Sequence, residues 1–299
     1  MGIFRRLISS GEGGASFPFV FRITTTSANT SFTLPIADYA GFSPNFSVNW
    51  GDGNSGTVTS STDLDKTHVF ASPGTYDISI NGFMPYFKVN NNAGIRTLIV
   101  AIVQWGTVGL RAIDFYGCSN LTTIPGSASL SLVGGYTGLG EVITFASFMR
   151  NTALVSIPSD LFAYSPNATT FTDTFTNTPI TSIPSGLFDE NIAATNFASC
   201  FSTCTSLNSV PLTLFDLNVN AISFSSTFRN CYAVTQPLQF TYNTAVTTFA
   251  NVYNMATSSN AMTGTAPELW NRVPTPIGTD AFRNCLNLTN YASIPTIWK

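Results

Sequence analysis

From Phe115 onward this chain repeats a single pattern, Phe-x-x-(Cys/Asn/Thr)-x-x-Leu followed by Ser/Thr-Ile-Pro-x-x-Leu-Phe. A repeat constrains architecture more than any motif inside it, because a unit this short cannot bury its own apolar face and must stack on the next copy. Aligned on the leading aromatic, the copies read FYGCSNL at Phe115, FMRNTAL at Phe148, FTNTPI at Phe175, FSTCTSL at Phe201, FRNCYAV at Phe228, YNMATSS at Tyr253 and FRNCLNL at Phe282. They are spaced by 33, 27, 26, 27, 25 and 29 residues, with an insertion over 133–141 that contains Gly134 and Gly135. Residues 95–299 are therefore expected to form a solenoid of about seven coils.

Each copy carries a short run that ends in proline: LTTIP at Leu121, LVSIP at Leu154, ITSIP at Ile180 and LNSVP at Leu207. These read as one strand per coil, which proline terminates because it lacks the ladder donor. Leu161-Phe162, Leu187-Phe188 and Leu214-Phe215, echoed by Leu269-Trp270 and Ile297-Trp298, are expected as anchors of a return limb. The pairs Phe171/Phe175, Phe197/Phe201 and Phe224/Phe228 have the i, i+4 spacing of a short helical turn. Outward positions of the expected strands are Thr122, Thr123, Ser156, Thr181, Ser182, Asn208 and Ser209, an almost uncharged hydroxyl and amide face suited to a sugar or a protein surface. The plainer alternative is that these residues solvate a strand.

Before the repeats the period changes to strict alternation: Phe19, Phe21 and Ile23; Phe32, Leu34 and Ile36; Phe46, Val48 and Trp50; Tyr76, Ile78 and Ile80. Alternation of this kind, broken by Gly, Pro, Asn and Asp, predicts a β-sandwich over residues 17–94. In VNWGDGNSG, Trp50 closes a strand and Gly51, Asp52 and Gly53 supply a tight turn, with the Asp52 side chain accepting hydrogen bonds from its own turn. The apolar run TLIVAIVQWG near Leu98 is too short to span a bilayer and reads as a buried strand.

Several chemistries have little to stand on. Twelve basic residues against a net charge of −3 make no stripe for a phosphate backbone, so no nucleic-acid partner is expected, and no membrane insertion. His68 is the only histidine, and no Gly-x-Ser-x-Gly elbow accompanies it, so it is read as structural rather than catalytic. Asp52, Asp63 and Asp65 lack the spacing of a calcium loop. Cys118, Cys204, Cys231 and Cys285 each fall three residues after a repeat aromatic, as small buried thiols would; with Cys200 they offer no metal spacing. Acidic residues (Asp160, Asp173, Asp189, Glu190, Glu268) are scattered, without the carboxylate pair a glycosidase needs. No cofactor, no metal and no enzyme activity are expected. The first 16 residues, MGIFRRLISSGEGGAS, contain no apolar leader and fail the myristoylation pattern at Arg6. Ile3, Phe4, Arg5, Arg6 and Leu7 are read as a docking arm, followed by a glycine hinge near Gly11.

Residues 17–92 resemble a polycystic-kidney-disease (PKD) domain, with Trp50, Gly51, Asp52, Gly53, His68, Phe70, Pro73, Gly74 and Tyr76 matching in order. Residues 96–299 resemble the BspA-type leucine-rich repeats, with a drifted copy at Tyr253. Together these resemblances imply a mainly β chain: an immunoglobulin-like β-sandwich, then a leucine-rich-repeat solenoid. They also imply binding and assembly, since such proteins occur as bacteriophage structural proteins and bacterial surface adhesins. The expectation is a virion protein, a tail or fibre component or a head decoration, serving host attachment or particle stabilisation. Its partners would be other virion proteins through the arm, a host-surface glycan or protein, and further copies of itself in a homo-oligomer or multi-copy assembly. A start at MGIFRR without a leader, and an end at IPTIWK that leaves Ile294, Ile297 and Trp298 to be covered, favour this over the alternative, a bacterial cell-surface adhesin.

Overall fold

The structure, a computed structural model, describes residues 17–127 and 138–299. The arm residues Ile3, Phe4, Arg5, Arg6 and Leu7, and most of the 133–141 insertion, lie outside the described residues. The fold is mainly β, and helical backbone among the described residues is confined to short 3-10 turns such as Leu64–Lys66 and Leu269–Asn271.

Alternation places the strands of the first part. In β1 (Phe19–Thr25) every odd residue is buried, and Phe19, Phe21 and Ile23 face the core. This strand lies between β6 (Gly74–Phe83) and β8 (Ile99–Gln104), antiparallel to both. With β3 (Asn45–Asn49) and β4 (Ser55–Val58) they make a five-stranded sheet in the order β4-β3-β6-β1-β8. A separate antiparallel pair, β2 (Thr30–Thr33) with β5 (Thr67–Phe70), lends Phe32 and Phe70 to the same core; Phe32 meets Phe21 at 5.7 Å between ring centroids. The apolar run near Leu98 is indeed a strand, β8, but it is a sheet partner of β1, so the boundary expected between residues 94 and 95 does not separate two hydrogen-bonding systems. Further along, β7 (Tyr86–Lys88) pairs in parallel with β9 (Ala112–Asp114), and one contiguous core runs from Phe19 to Trp298.

From β9 onward the chain winds in layers. Parallel bridges join Ala112 to Thr144, Thr144 to Thr170, Thr170 to Asn196, Asn196 to Ser223, Ser223 to Thr248 and Thr248 to Ile277. This continuous ladder lies just before the first Phe of each Phe-x-x-x-Phe pair. The strands expected at the Ile-Pro segments are reduced to two bridges, Ala101 with Thr123 and Ser182 with Ser209. The proline that ends each such segment removes a donor, so pairing there cannot lengthen.

Nor is the Phe-x-x-x-Phe segment a helical turn. Asp173 and Asn177, Ser199 and Thr203, and Ser226 and Asn230 all have φ near +57°, so the chain reverses hand every fourth residue. Alternate N–H groups point to the next layer: Phe171 N donates to Asn196 O, Asp173 N to Ala198 O, Phe175 N to Cys200 O and Asn177 N to Ser202 O. A helix would have used those donors internally. Asn and Asp tolerate the left-handed conformation better than other side chains, which suits Asp173, Asn177 and Asn230; at Ser199, Thr203 and Ser226 the cross-layer backbone bonds accompany it. The same bonds put Met149, rather than Phe148, in register with Phe175, since Met149 N donates to Thr174 O.

Three columns of aromatic rings fill the layers. Phe145, Phe171, Phe197, Phe224 and Phe249 form one; Phe175, Phe201, Phe228, Tyr253 and Phe282 a second; Phe162, Phe188, Phe215 and Phe240 a third. Neighbouring rings in the first column are 5.4–6.0 Å apart and nearly parallel, wider than the roughly 4.8 Å strand step, so they stack with an offset. Rings of different columns meet edge-on, as Phe171 does with Phe188 at 4.9 Å and 66°. Each buried ring contributes roughly 1.5–3 kcal/mol over an exposed one. At the far end the expectation of an uncovered last layer is corrected. Ile294 and Trp298 are buried, Trp298 N–H and Trp298 O bond within the chain, and only Ile297 stays exposed.

Candidate functional site

All seven residues of the expected binding face, Thr122, Thr123, Ser156, Thr181, Ser182, Asn208 and Ser209, are exposed. Only Thr123, Ser182 and Ser209 sit on bridges, so the face is a set of short steps rather than a continuous sheet. The long ladder carries a second outward row that sequence reasoning missed: Ile143, Thr169, Thr195, Ile222 and Thr247. Here hydroxyls are tied to the previous layer, with Thr169 Oγ1 donating to Ile143 O at 3.2 Å, Thr195 Oγ1 to Thr169 O at 3.2 Å and Thr247 Oγ1 to Ile222 O at 3.1 Å. Beside it Thr144, Asn196, Ser223 and Thr248 accept the N–H two residues on, which shapes the turn into each Phe pair. The signal is present as Thr/Ile-(Thr/Asn/Ser)-Phe in five copies, from Ile143 to Phe249, beside the more conspicuous Ile-Pro motif.

On the return limb, Asn191, Asn218 and Asn243 are buried and stand in line. Asn191 Nδ2 donates to Phe162 O and Ser165 O, Asn218 Nδ2 to Phe188 O and Asn191 O, and Asn243 Nδ2 to Phe215 O and Asn218 O. Their Oδ1 atoms have no partner among the described residues. In the following layer the donor is Arg272, whose Nη1 and Nη2 reach Asn243 O at 2.8 Å and Phe240 O at 2.5 Å, with the guanidinium 5.3 Å from the Phe249 ring centre. A groove of about 520 Å³ opens beside it, lined by Thr241, Thr244, Val246, Thr247, Arg272 and Pro276 among others.

His68 and Asp52 come together at 2.7 Å, both largely buried, with the imidazole stacked on Trp50 at 5.0 Å and 16°. Asn54 N also donates to Asp52 Oδ1, as the turn chemistry required, and Gly51 and Gly53 have φ of +82° and +95°. Burial pushes the Asp52 carboxyl up, but the hydrogen bonds from His68 and Asn54 outweigh it and hold the group below the usual carboxylate range. His68 thus bolts the turn to β5. Near it lies a small cleft of about 200 Å³ that includes Ser55 and Asp65.

All five cysteines are buried and unbridged. Cys204 Sγ donates to Phe175 O at 3.1 Å, Cys231 Sγ to Phe201 O at 3.0 Å and Cys285 Sγ to Tyr253 O at 3.2 Å, and burial raises every one of these thiols, Cys204 to about 11 and Cys285 to about 12. Among the described residues no three of His, Cys, Asp or Glu gather where a metal ion could sit, and no helix is long and apolar enough to cross a membrane. Two of the acidic residues have partners: Asp173 pairs with Arg150 across layers at 3.4 Å, and Glu268 accepts from Asn271 at 2.7 Å. No family model matches the chain, and no curated protein matches it.

Proposed function

We propose that this chain is a non-enzymatic structural and recognition protein displayed on the surface of a bacteriophage particle, as a tail or fibre component or as a head decoration. On this reading residues 17–94 are a PKD-like, immunoglobulin-like sandwich and residues 95–299 a BspA-type leucine-rich-repeat solenoid of seven coils, the two joined through β8. The observation that carries it is the layered ladder with its outward hydroxyls. Thr169, Thr195 and Thr247 are pinned to the backbone of the preceding layer, so the surface is rigid, nearly uncharged and rich in preset hydrogen-bonding groups. A surface of this kind suits contact with a glycan or a protein coat, where ordering costs are lowered by rigidity. The groups able to do chemistry have structural duties: His68 holds Asp52, and the cysteine thiols are buried and raised. The apolar residues Ile3, Phe4 and Leu7, with Arg5 and Arg6, are assigned to docking on other virion proteins.

The test is electron microscopy of particles carrying the full chain or a chain lacking residues 1–15. Regular density from the full chain and its loss on truncation are expected, and the position of that density separates head from tail. A chain that stays off particles and coats bacterial cells instead overturns the reading in favour of a surface adhesin.

A further inference from the structure

The asparagine ladder ends in a charge that the ladder does not need. In three successive layers a neutral amide, from Asn191, Asn218 and Asn243, donates to the two carbonyls of the layer before. Arg272 makes the same two bonds with a guanidinium, whose five N–H donors leave three over. No carboxylate among the described residues forms an ion pair with it. Glu268, four residues away in the chain, accepts from Asn271 instead. Burial lowers the Arg272 pKa, so the cation is partly stripped of water without gaining an anion.

The groove beside Arg272 fits one kind of anion. Pro274 and Pro276 line it and offer no N–H, which thins the backbone donors that a phosphate would need on that wall. Its wall mixes the hydroxyls of Thr241, Thr244 and Thr247 with the apolar edges of Val246 and Val273, as a sugar alternates hydroxyl and C–H surface. A volume of about 520 Å³ lies in the range of small-ligand pockets and holds about two or three sugar rings. A single guanidinium matches a single carboxylate in charge and in fork geometry. We propose that this groove binds a carboxylated saccharide of the uronic-acid class, with Arg272 holding the carboxylate and the threonine hydroxyls the ring. The inference rests on the reading of the chain as a surface-recognition protein, and names what it recognises.

The test is calorimetric titration of the full chain with trigalacturonate and with its neutral methyl ester. Trigalacturonate is expected to bind with a Kd of about 0.1–1 mM, weakening as salt is raised, and the ester at least about tenfold less tightly. Arg272→Gln, which keeps an amide donor toward the Asn243 and Phe240 carbonyls, is expected to lose at least about tenfold in affinity. Should that variant not fold, Thr244→Glu decides: the residue is exposed, and a carboxylate there should neutralise Arg272 and abolish binding. Equal binding of acid and ester, unchanged binding by Thr244→Glu, or no heat with trigalacturonate at about 10 mM overturns the proposal. A displayed chain that ignores uronates sinks the groove assignment alone, whereas a uronate-binding chain found off particles sinks only the display.

Discussion

Arg272 Nη1 donates to the backbone oxygen of Asn243 at 2.8 Å, and so does for Asn243 what Asn243 does for Asn218 through its own amide at 3.1 Å. Successive layers are thereby linked by a column of side-chain donors, buried at Asn191, Asn218 and Asn243. Each amide serves two carbonyls one layer back, while its own Oδ1 goes unpartnered among the described residues. An unmet acceptor costs less than an unmet donor would at this position, because carbonyl oxygens crowd the path of the column.

The column can be broken in two distinguishable ways at its centre. Asn218→Ala removes the donor to Phe188 O and Asn191 O and is expected to cost about 2 kcal/mol, since each carbonyl keeps a backbone partner, from Asn191 N and Ala194 N. Asn218→Asp places a carboxylate against two carbonyls and is expected to cost more than the alanine at neutral pH, narrowing the gap on acidification as the acid regains a donor. Urea unfolding of both variants at two pH values checks the order.

Phe201 sits mid-column, 5.5 Å from Phe175 and 5.6 Å from Phe228, and is fully buried. Replacing it with alanine opens a cavity flanked by two rings that their own layers hold in place, so little collapse is possible. Phe201→Ala is expected to destabilise by about 3–5 kcal/mol and Phe201→Leu by clearly less. Denaturant midpoints for the two variants measure the difference.

The buried thiols give a labelling test. Cys204, Cys231 and Cys285 donate to carbonyls of the layer before, at the repeat position where Thr178 donates its hydroxyl to Phe175 O of its own layer, and burial raises them all. A thiol reagent at pH 8 should therefore label none of the five cysteines in the folded chain and all five after unfolding. Rapid native labelling of any one would contradict the packing around it. Cys231→Thr, copying Thr178, is expected to cost under about 1.5 kcal/mol.

Much of this was legible in the residues. Alternation located β1, β3 and β6, and Trp50-Gly-Asp-Gly announced both the positive φ of Gly51 and the bond from Asn54 N to Asp52. The long period found the layers, because core aromatics must recur wherever a layer recurs. What failed was assignment inside the period. Ile-Pro drew attention as a strand end, yet the pairing that persists from layer to layer lies beside Thr170, Asn196 and Ser223, where nothing removes a donor. The i, i+4 spacing of Phe171 and Phe175 suggested a helix, but spacing alone cannot report that Asp173 and Asn177 are left-handed. Asn191, Asn218 and Asn243 each follow a core residue, Phe188, Phe215 and Phe240, by three, a regular offset hidden because polar residues after an anchor look like loop. Burial of an amide is settled by carbonyls from another layer, which no local pattern contains.

The Asp52–His68 contact carries a pH signature of definite sign. The Asp52 carboxyl is raised by burial but more strongly lowered by the hydrogen bonds from His68 and Asn54, so its folded pKa lies below its unfolded value of about 3.9. The stability it contributes is fully present above that value and is lost as the pH falls through the folded pKa. Asp114 has the opposite sign. Its burial outweighs the bonds from Asn90 N and Lys88, its folded pKa is raised, and acidification from neutral relieves the cost of keeping it charged. Urea midpoints of the unaltered chain, Asp52→Asn and Asp114→Asn, taken between about pH 7 and pH 3, separate the two. The advantage of the unaltered chain over Asp52→Asn should shrink as the pH falls below about 4.5. Its standing against Asp114→Asn should improve over the same descent, beginning at a higher pH. An advantage over Asp52→Asn that does not change with pH would mean that His68 holds an uncharged partner, and that the turn is fixed by Trp50 stacking and the Asn54 amide alone.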